Sequence, residues 1–342
     1  LGVGPLFFGP LSDSLGRKPM VFVGFGIFIL ASFICVYAKS LEIMVLGRIL
    51  QGFGLSAPRT ISVAIIRDLY AGDYMAKIMS FVIVIFLLVP IIAPAMGKLI
   101  LDSFNWEAIF IFQILFCLLI AFWFWKRQEE TLDPKNRIDF KIDLFKKGFL
   151  ELMHFKKTIA YTLISGLITG SFMVYLSTSQ QIFQEQYGLK ETFPYIFAGL
   201  ATASGGAILL NGLFVVKYGM KKIINISLIG FFLISVCYAF LFYNSVNPPL
   251  IIILSFFSLQ FFCLGFLFGN LRAIAMEPVG HIAGIGAAIT GFISTLMAVP
   301  ISIVIGKFVR LTVLPIFIGF SICSFISILI LIVLTIKAPR NN

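Results

Sequence analysis

Charged residues are scarce in this sequence. Only 12% of its 342 residues are Asp, Glu, Lys or Arg, whereas 60% are hydrophobic, and the mean hydropathy is +1.04. A soluble domain carries roughly 25% charged residues because its surface must be hydrated. The composition therefore excludes a water-soluble globular domain and predicts a chain whose apolar exterior is covered by lipid.

Histidine and cysteine are also few, which argues against several kinds of site. There are two His and five Cys, and every cysteine lies inside an apolar run without a C-x-x-C spacing, so we expect no metal site and no disulfide. A membrane-embedded enzyme would need clustered His, Asp or Glu within its spans, and a channel would need a polar ring. Neither pattern is visible. The sequence contains no phosphate-binding glycine loop, so we expect neither direct ATP use nor a cofactor.

The net charge of +11 first suggests a nucleic-acid binder, but its distribution argues against one. Nine of the 26 Lys and Arg residues lie between positions 126 and 157, mixed with six acids, and most others occupy short loops between apolar runs. This pattern is typical of topology signals in membrane proteins. We therefore expect a lipid bilayer, and no nucleic acid, as a partner.

Long apolar runs make up most of the chain. A helix needs about 20 mostly apolar residues to span a bilayer. Ten runs reach that length: 20–38, 42–66, 78–101, 106–125, 158–182, 193–216, 223–243, 249–275, 284–306 and 313–336. Loops on one side carry 19 Lys and Arg and those on the other carry five, so the first side is predicted to be cytoplasmic.

An internal repeat relates the two ends of the chain. GPLSDSLGRK, which starts at Gly9, parallels GLFVVKYGMKK, which starts at Gly212, and VPIIAPAMGK parallels VPISIVIGK at an offset near 210. We predict an N-terminal bundle (1–125), a cytoplasmic linker (126–157) with an amphipathic run near 144–155, and a C-terminal bundle (158–342). Two such repeats about an axis along the membrane normal are the plan of major facilitator transporters.

The predicted fold is therefore an all-α membrane protein with two pseudo-symmetric helical bundles. Residues 1–11 have the composition of the end of a further span, and the chain begins at Leu1 within that apolar run. On the twelve-span plan we expect eleven spans to be present, with span 1 and the start of span 2 missing.

Three segments resemble signatures of the major facilitator superfamily. Residues 9–19 (GPLSDSLGRKP) resemble its loop signature between spans 2 and 3, and residues 46–54 (LGRILQGFG) resemble its span 4 signature. Residues 90–97 (PIIAPAMG) are similar to the span 5 signature of its drug/proton antiporters, although Ala93 stands where a typical member has Gly.

A second set of segments is similar to one branch of those antiporters, the bicyclomycin-resistance (Bcr/CflA) branch. These are AIIRDLY (64–70), YLSTSQQIFQEQYGL (175–189) and EPVGHIAG (277–284). The resemblance implies a monomeric, proton-coupled exporter of drug-like small molecules in the bacterial inner membrane, which works by rocker-switch alternating access. The alternative is an importer of a nutrient or metabolite, against which the span 5 signature argues.

Two arginines lie inside predicted span 4, where a charge costs at least ~2.5 kcal/mol unless it faces a cavity or a partner. Arg48 and Arg59 are eleven residues apart, so they share one helix face about 16 Å apart, and Gln51 lies close to that face. We predict that these residues contact substrate or a titrating carboxylate in a cavity. The alternative is a structural tie to backbone carbonyls, and the family resemblance supports the cavity role for Arg48.

The first loop signature is predicted to act as a gate. Asp13 can gain from a helix dipole, and Arg17 can form a forked pair with Asp68 at the end of span 4. The resemblance implies a charge relay among these residues, which would stabilise one access state. The predicted gating residues are Gly9, Asp13, Gly16, Arg17, Lys18 and Asp68, with both glycines allowing close backbone approach.

Other polar or helix-breaking residues complete the candidate set. In span 5, Pro90, Pro94 and Gly97 are expected to break or bend the helix and to allow close packing. In the second half, five residues are predicted to line the substrate cavity or, alternatively, to form interhelical hydrogen bonds: Ser165, Tyr175, Asn211, Gln260 and Asn270.

Acidic residues are absent from the middle of every predicted span. A proton-coupled carrier needs a titratable group in its cavity, so we expect that group in the missing span 1. Glu107 and Glu277 lie near membrane boundaries, and His281 is expected to cap or pack a helix.

Overall fold

The computed structural model describes the backbone of residues 2–70, 72–137, 142–243 and 247–336, and their side chains except at 136 and at positions within 72–91, 142–147 and 280–284. Regular structure throughout this part is helical, without a strand, so the predicted all-α class is confirmed there. The helices are α1 (Gly4–Leu15), α2 (Arg17–Val36), α3 (Leu41–Leu69), α4 (Gly72–Ser103), α5 (Glu107–Arg127), α6 (Ile142–His154), α7 (Lys156–Gln180), α8 (Phe193–Tyr218), α9 (Met220–Leu241), α10 (Leu250–Met276), α11 (Ala283–Gly306) and α12 (Leu314–Ile336).

Within the described residues, nine helices are long and apolar enough to cross a membrane, namely α2, α3, α5 and α7–α12. They coincide with nine of the ten predicted runs. The tenth run, 78–101, lies within α4, many of whose side chains fall outside the described part. Because α1 has 12 residues, or about 18 Å of helix, the count of eleven spans stays a prediction.

The chain separates into two compact units, unit 1 (Leu1–Phe145) and unit 2 (Lys146–Asn342). The division falls inside α6, which covers the amphipathic run predicted near 144–155. The predicted boundaries at 125 and 158 stay a prediction.

In unit 1, small residues bring α2 and α3 close together. A Cβ at Gly47 would lie 2.5 Å from the Sγ of Cys35, and a Cβ at Gly54 would lie 2.7 Å from the backbone nitrogen of Phe28. Only glycine allows this separation of the two backbones, as is common where membrane helices pack. The glycines of the LGRILQGFG segment therefore fix the position of α3 against α2.

Unit 2 is built around an aromatic core. Tyr238 of α9 stacks on Phe317 of α12 with ring centroids 3.8 Å apart, and Phe257 of α10 packs against the same ring at 5.1 Å. All three side chains are fully buried. Such rings fill the space between helices with large apolar surfaces in preferred pairwise geometries.

One turn recurs in both units at the spacing of the predicted repeat. Gly16 separates α1 from α2 with φ 108° and ψ 153°, and Gly219, 203 residues later, separates α8 from α9 with φ 77° and ψ 151°. Both conformations lie in a region that is essentially restricted to glycine. The repeated sequence therefore forms the same backbone turn twice.

Candidate functional site

A cluster of charged side chains, here called the α1–α2 charge cluster, surrounds the turn at Gly16 in unit 1. It consists of Asp13, Arg17, Asp68 and Glu130, with Ser12 at its edge. α1 places Asp13 one helical turn before Arg17, and α3 brings in Asp68 from its last turn. The structure thus brings together the three charged residues of the predicted charge relay.

Arg17 is the centre of this cluster and is buried. Its Nη1 lies 2.5 Å from Oδ1 of Asp13 and donates to the Ser12 hydroxyl at 2.7 Å, while its Nε donates to Oδ2 of Asp68 at 2.9 Å. The predicted forked pair with Asp68 alone does not form, because the guanidinium divides its donors between two acids. One arginine therefore joins α1, α2 and α3.

Glu130, which follows α5, caps the N-terminus of α2. Its two carboxylate oxygens accept hydrogen bonds from the backbone N–H groups of Arg17 (2.9 Å) and Lys18 (3.0 Å). These N–H groups have no partner within the helix, and a carboxylate there also interacts favourably with the helix dipole. Sequence reasoning missed this residue because its partners lie more than 110 positions away.

The electrostatic environment of Glu130 favours its charged form. Burial alone would raise its pKa, but backbone N–H groups of Leu132, Arg17, Lys18 and Thr131 donate to the carboxylate and together lower the pKa below the usual value for Glu. A carboxylate that accepts several backbone hydrogen bonds stays ionised to lower pH.

The two predicted glycines of this loop differ in their surroundings. A Cβ at Gly16 would lie 2.7 Å from Oε2 of Glu130, whereas a Cβ at Gly9 would lie 4.0 Å from its nearest neighbour, a methyl group of Thr60. The expectation of close approach at Gly9 is therefore wrong, since a side chain would fit there. Lys18 lies on the rim of the cluster and donates from Nζ to the carbonyl of Trp125 at 3.0 Å.

A second polar feature of unit 1 is a chain of hydrogen bonds from α3 to α2. Arg48 donates from Nη1 to Oε1 of Gln51 at 2.9 Å, and Nε2 of Gln51 donates to Oγ of Ser32 at 2.6 Å. The Ser32 hydroxyl in turn donates to the carbonyl of Phe28 at 2.7 Å. Gln51 is buried between the helices and holds Arg48 in position. Its predicted place beside a substrate cavity stays a prediction.

Arg48 is exposed, and its Cζ lies 5.9 Å from the ring centroid of Phe110 on α5. Arg59 is also exposed. Because α3 runs without interruption from Leu41 to Leu69, the two arginines keep the eleven-residue spacing from which a shared face was predicted. Their roles toward a substrate or a proton stay a prediction.

Unit 2 contains the same hydrogen-bonded chain without the arginine. Gln260 of α10 donates from Nε2 to Oγ of Ser235 at 2.6 Å, and Ser235 donates to the carbonyl of Phe231 at 2.7 Å. Ser235 and Phe231 follow Ser32 and Phe28 by 203 residues, and Gln260 follows Gln51 by 209. Among the described residues, Oε1 of Gln260 has no hydrogen-bond partner.

The other polar residues predicted for unit 2 lie between its helices. Asn211 of α8 and Asn270 of α10 exchange hydrogen bonds of 2.6 and 3.4 Å. Tyr175 is buried with its ring 4.6 Å from that of Phe261, and Ser165 is buried in α7. For Asn211, Gln260 and Asn270, the structure therefore agrees with the alternative of interhelical hydrogen bonds.

The span 5 residues lie in α4. The helix is continuous from Gly72 to Ser103, so its backbone is not interrupted at these residues, and a bend stays a prediction. A Cβ at Gly97 would meet none of the described residues within 4 Å, so no close packing at Gly97 is seen within that part of the chain. Pro94 is half-buried, and the side chain of Pro90 lies outside the described residues.

Comparison with known proteins identifies the family. The sequence profile of the Major Facilitator Superfamily matches residues 1–304. The chain belongs to the Major Facilitator Superfamily. The expectation of a transporter, and not an enzyme, is thereby confirmed, as is that of a multi-pass membrane protein.

Within the superfamily, the chain is similar to bacterial proteins. It is 31% identical to a bicyclomycin resistance protein homolog of Haemophilus influenzae over 67% of this chain and 58% of that protein. It is 26% identical to the multidrug resistance protein MdtL of Citrobacter koseri over 95% of this chain and 81% of that protein. The fold also matches the crystal structure of a bacterial homolog to the human lysosomal transporter Spinster, inward-facing and unoccupied, with a TM-score of 0.62 at 13% identity, covering 97% of this chain and 84% of that one.

Three titratable residues, Glu107, Glu277 and His281, were not among the predicted site residues. Glu107 begins α5, and its Oε2 is buried without a hydrogen-bond partner among the described residues. Glu277 pairs with Lys157, whose Nζ lies 2.6 Å from Oε2. The side chain of His281 lies outside the described residues. No group of three His, Cys, Asp or Glu side chains in the described part could hold a metal ion.

A cavity of about 670 Å³ opens at the end of unit 2 that is predicted to face away from the cytoplasm. A π-helical turn, Gln181–Gln186, leads into it from α7. Asn247 holds the walls together, since its Nδ2 donates to Gln186 at 2.8 Å and its Oδ1 accepts from the backbone N–H of Val313 at 2.8 Å. The residues that line this cavity include none of those predicted for the substrate cavity.

Proposed function

We propose that this protein exports drug-like small molecules across the bacterial inner membrane in exchange for protons, by rocker-switch alternating access. The names of the two bacterial relatives, a bicyclomycin resistance protein homolog and a multidrug resistance protein, support the direction and the class of substrate. The basic linker supports the orientation, with residues 126–157 in the cytoplasm. The moving bodies in this proposal are the halves 1–125 and 158–342.

The single observation that carries the mechanism is the α1–α2 charge cluster. Arg17 joins three helices and is buried, and Glu130 adds the segment after α5 to the same turn. Removing one partner of such a buried network leaves the other charges uncompensated, at a cost of roughly 3–5 kcal/mol. Asp13, Arg17 and Asp68 belong to the half 1–125 and Glu130 to the linker 126–157, so the network ties the linker to that half. We propose that this tie is stronger in one access state than in the other and so biases the equilibrium between them.

Arg48 is the residue that we propose for contact with substrate or with a titrating carboxylate. A guanidinium has five N–H donors, and the hydrogen bonds given for Arg48 among the described residues use one of them, toward Gln51, which fixes the direction of the side chain. We propose that Arg59 contributes to the same polar face of α3 as Arg48. Glu107 is the described carboxylate that fits proton coupling best, because its Oε2 is buried and its helix also carries Phe110, which lies beside Arg48.

Expression in an efflux-deficient bacterium tests the function. We expect the protein to raise resistance to at least one drug-like compound, and a protonophore that collapses the proton gradient should cancel the effect. The control is the same bacterial strain carrying the empty vector. Resistance that survives the protonophore, or accumulation of compound instead of export, would contradict the proposal.

A further inference from the structure

A groove on the surface of unit 2 runs between α7 and α12. It encloses about 410 Å³, and its walls are apolar except at one end. We call it the α7–α12 groove and define it by Lys156, Ile159 and Leu163 of α7 and Ile326, Leu329 and Val333 of α12.

Helix periodicity explains why these residues form one continuous surface. The α7 residues recur at spacings of three and four, and so do the α12 residues, so each set lies on one face of its helix. Ile326, Leu329 and Val333 are 40%, 43% and 50% exposed. In a membrane-spanning protein, a surface of this kind is open to lipid acyl chains.

Among the described residues that line the groove, Lys156, the first residue of α7, is the only charged one. Its neighbour Lys157 is neutralised by Glu277, with Nζ 2.6 Å from Oε2. Lys156, in contrast, is exposed and makes no ion pair with any described residue. The first turn of α7 also lacks a side-chain cap, so its backbone N–H groups add to the positive potential at this end.

The positive end of the groove coincides with the end of unit 2 that is predicted to be cytoplasmic. α7 starts there after the basic linker, and α12 finishes there at Ile336. From Ile326 to Val333 the groove follows α12 for about 10 Å, which is a third of the hydrocarbon thickness of a bilayer. Its charge thus lies at headgroup depth and its apolar walls at acyl-chain depth.

We propose that the α7–α12 groove binds an anionic phospholipid of the cytoplasmic leaflet, with the phosphate at Lys156 and an acyl chain along the apolar walls. Basic pockets between membrane helices on the cytoplasmic side suit anionic lipid headgroups. The proposal rests on the membrane-spanning fold and is independent of drug export.

The test uses the purified full chain in detergent, with lipid binding measured by native mass spectrometry. Phosphatidylglycerol is the anionic probe and phosphatidylcholine, which has no net charge, is the comparison. We expect Lys156→Ala to weaken phosphatidylglycerol binding about fivefold, since one lysine near a membrane surface contributes about that factor. Phosphatidylcholine binding should weaken less, because its choline group compensates the charge of the phosphate. Lys156→Arg should retain binding.

Lys157→Ala is the matched control, because it removes a neighbouring charge that the structure places in an ion pair. The inference would be overturned if Lys156→Ala bound phosphatidylglycerol like the wild type, or if Lys157→Ala weakened binding equally. A further arm adds sn-glycerol 3-phosphate, which carries the anion without acyl chains. Its failure to displace the lipid is expected; full displacement would show a soluble-anion site and contradict the proposal.

An apolar-wall variant completes the test. Leu329→Ser shortens the wall without touching the charge, and we expect it to weaken binding of both lipids by a similar factor, because both present acyl chains to the groove. Unchanged binding of both lipids by Leu329→Ser would contradict the placement of an acyl chain there.

Discussion

At the turns that follow α1 in unit 1 and α8 in unit 2, similar glycine conformations meet different environments. Gly16 lies beside Arg17 and its acidic partners, and the carboxylate of Glu130 leaves no room for a Cβ at Gly16. A Cβ at Gly219 would meet none of the described residues within 4 Å, and Met220 stands where Arg17 stands in unit 1. The backbone plan is therefore repeated, while the buried charge is placed in unit 1.

The same contrast appears one helix further along each unit. Gln51 and Gln260 make equivalent hydrogen bonds to Ser32 and Ser235, but Oε1 of Gln51 accepts from Arg48 and Oε1 of Gln260 has no partner among the described residues. The position in unit 2 that corresponds to Arg48 is Phe257, a buried ring of the aromatic core. The two units thus share the hydrogen bond from glutamine to serine between neighbouring helices. They differ one turn earlier, where unit 1 has a charged arginine and unit 2 has a buried apolar ring.

The largest difference is expected from Arg17→Ala compared with Met220→Ala. The first removes a buried cation from two acids, which costs roughly 3 kcal/mol or more, whereas the second only shortens an apolar side chain. We expect resistance to fall at least tenfold for Arg17→Ala and to stay near wild type for Met220→Ala, at equal protein levels in the membrane. Equal losses in the two variants would show that the charge cluster has no special role.

A smaller difference separates Gly16→Ala from Gly219→Ala. Both force a side chain into a backbone conformation that costs of order 1–3 kcal/mol. Gly16→Ala also displaces the carboxylate of Glu130, so we expect it to be about 1 kcal/mol more destabilising. Thermal unfolding of the purified variants measures this, and a larger loss in Gly219→Ala would contradict the capping role of Glu130.

The two glutamines should also respond differently to leucine. Gln51→Leu leaves Arg48 and Ser32 without their partner, and we expect a loss of about 1–2 kcal/mol. Gln260→Leu gives up hydrogen bonds to Ser235 and to the carbonyl of Phe231 but also removes a buried oxygen that has no partner among the described residues, so its loss should be smaller, about 0.5–1 kcal/mol. Thermal unfolding of the purified variants measures both effects. An equal loss of stability in Gln51→Leu and Gln260→Leu would contradict the proposed difference between the two glutamines.

The smallest expected effect is a pH dependence that comes from Glu130. Its pKa is lower in the folded protein than in the unfolded chain, so its contribution to stability is complete above the unfolded value, about 4.3, and is lost as the pH falls through the folded value. Between pH 6 and pH 3.5 the wild type should therefore lose more stability than Glu130→Gln, by about 1 kcal/mol or less. Parallel pH profiles for the two proteins would exclude this role.

Much of the fold could be predicted from the sequence because apolar length and charge placement are local properties. Nine of the ten predicted runs coincide with described helices that are long and apolar enough to cross a membrane, and the tenth lies within α4. The glycine spacing of 203 residues marks the repeated turn. The grouping of Asp13, Arg17 and Asp68 was implied by the resemblance of residues 9–19 to the loop signature of the superfamily. The way in which Arg17 divides its donors between Asp13 and Asp68 was not predicted, because it depends on the relative placement of three helices.

The parts of the site that the sequence could not supply depend on distant partners. Glu130 is one of several acids in a polar segment, and nothing in its neighbourhood indicates that it caps a helix 113 residues earlier. Gln51 has the position of a cavity residue on a helical wheel, but Ser32 of the preceding helix binds it. Gly9 was predicted to permit close approach by its place in the loop signature, although a side chain would fit there.

Proton-driven uptake into inside-out membrane vesicles tests most directly whether the charged positions of unit 1 perform transport. The substrate is a compound to which the protein gives resistance, and the variants are Arg48→Ala and Phe257→Leu, which occupy corresponding positions in the two units. We expect Arg48→Ala to insert at wild-type levels, because it removes a costly intramembrane charge, yet to lose at least nine-tenths of its uptake, about 1.4 kcal/mol. Phe257→Leu should retain most of its uptake. Wild-type uptake by Arg48→Ala, or equal loss in Phe257→Leu, would contradict the assignment of transport chemistry to unit 1.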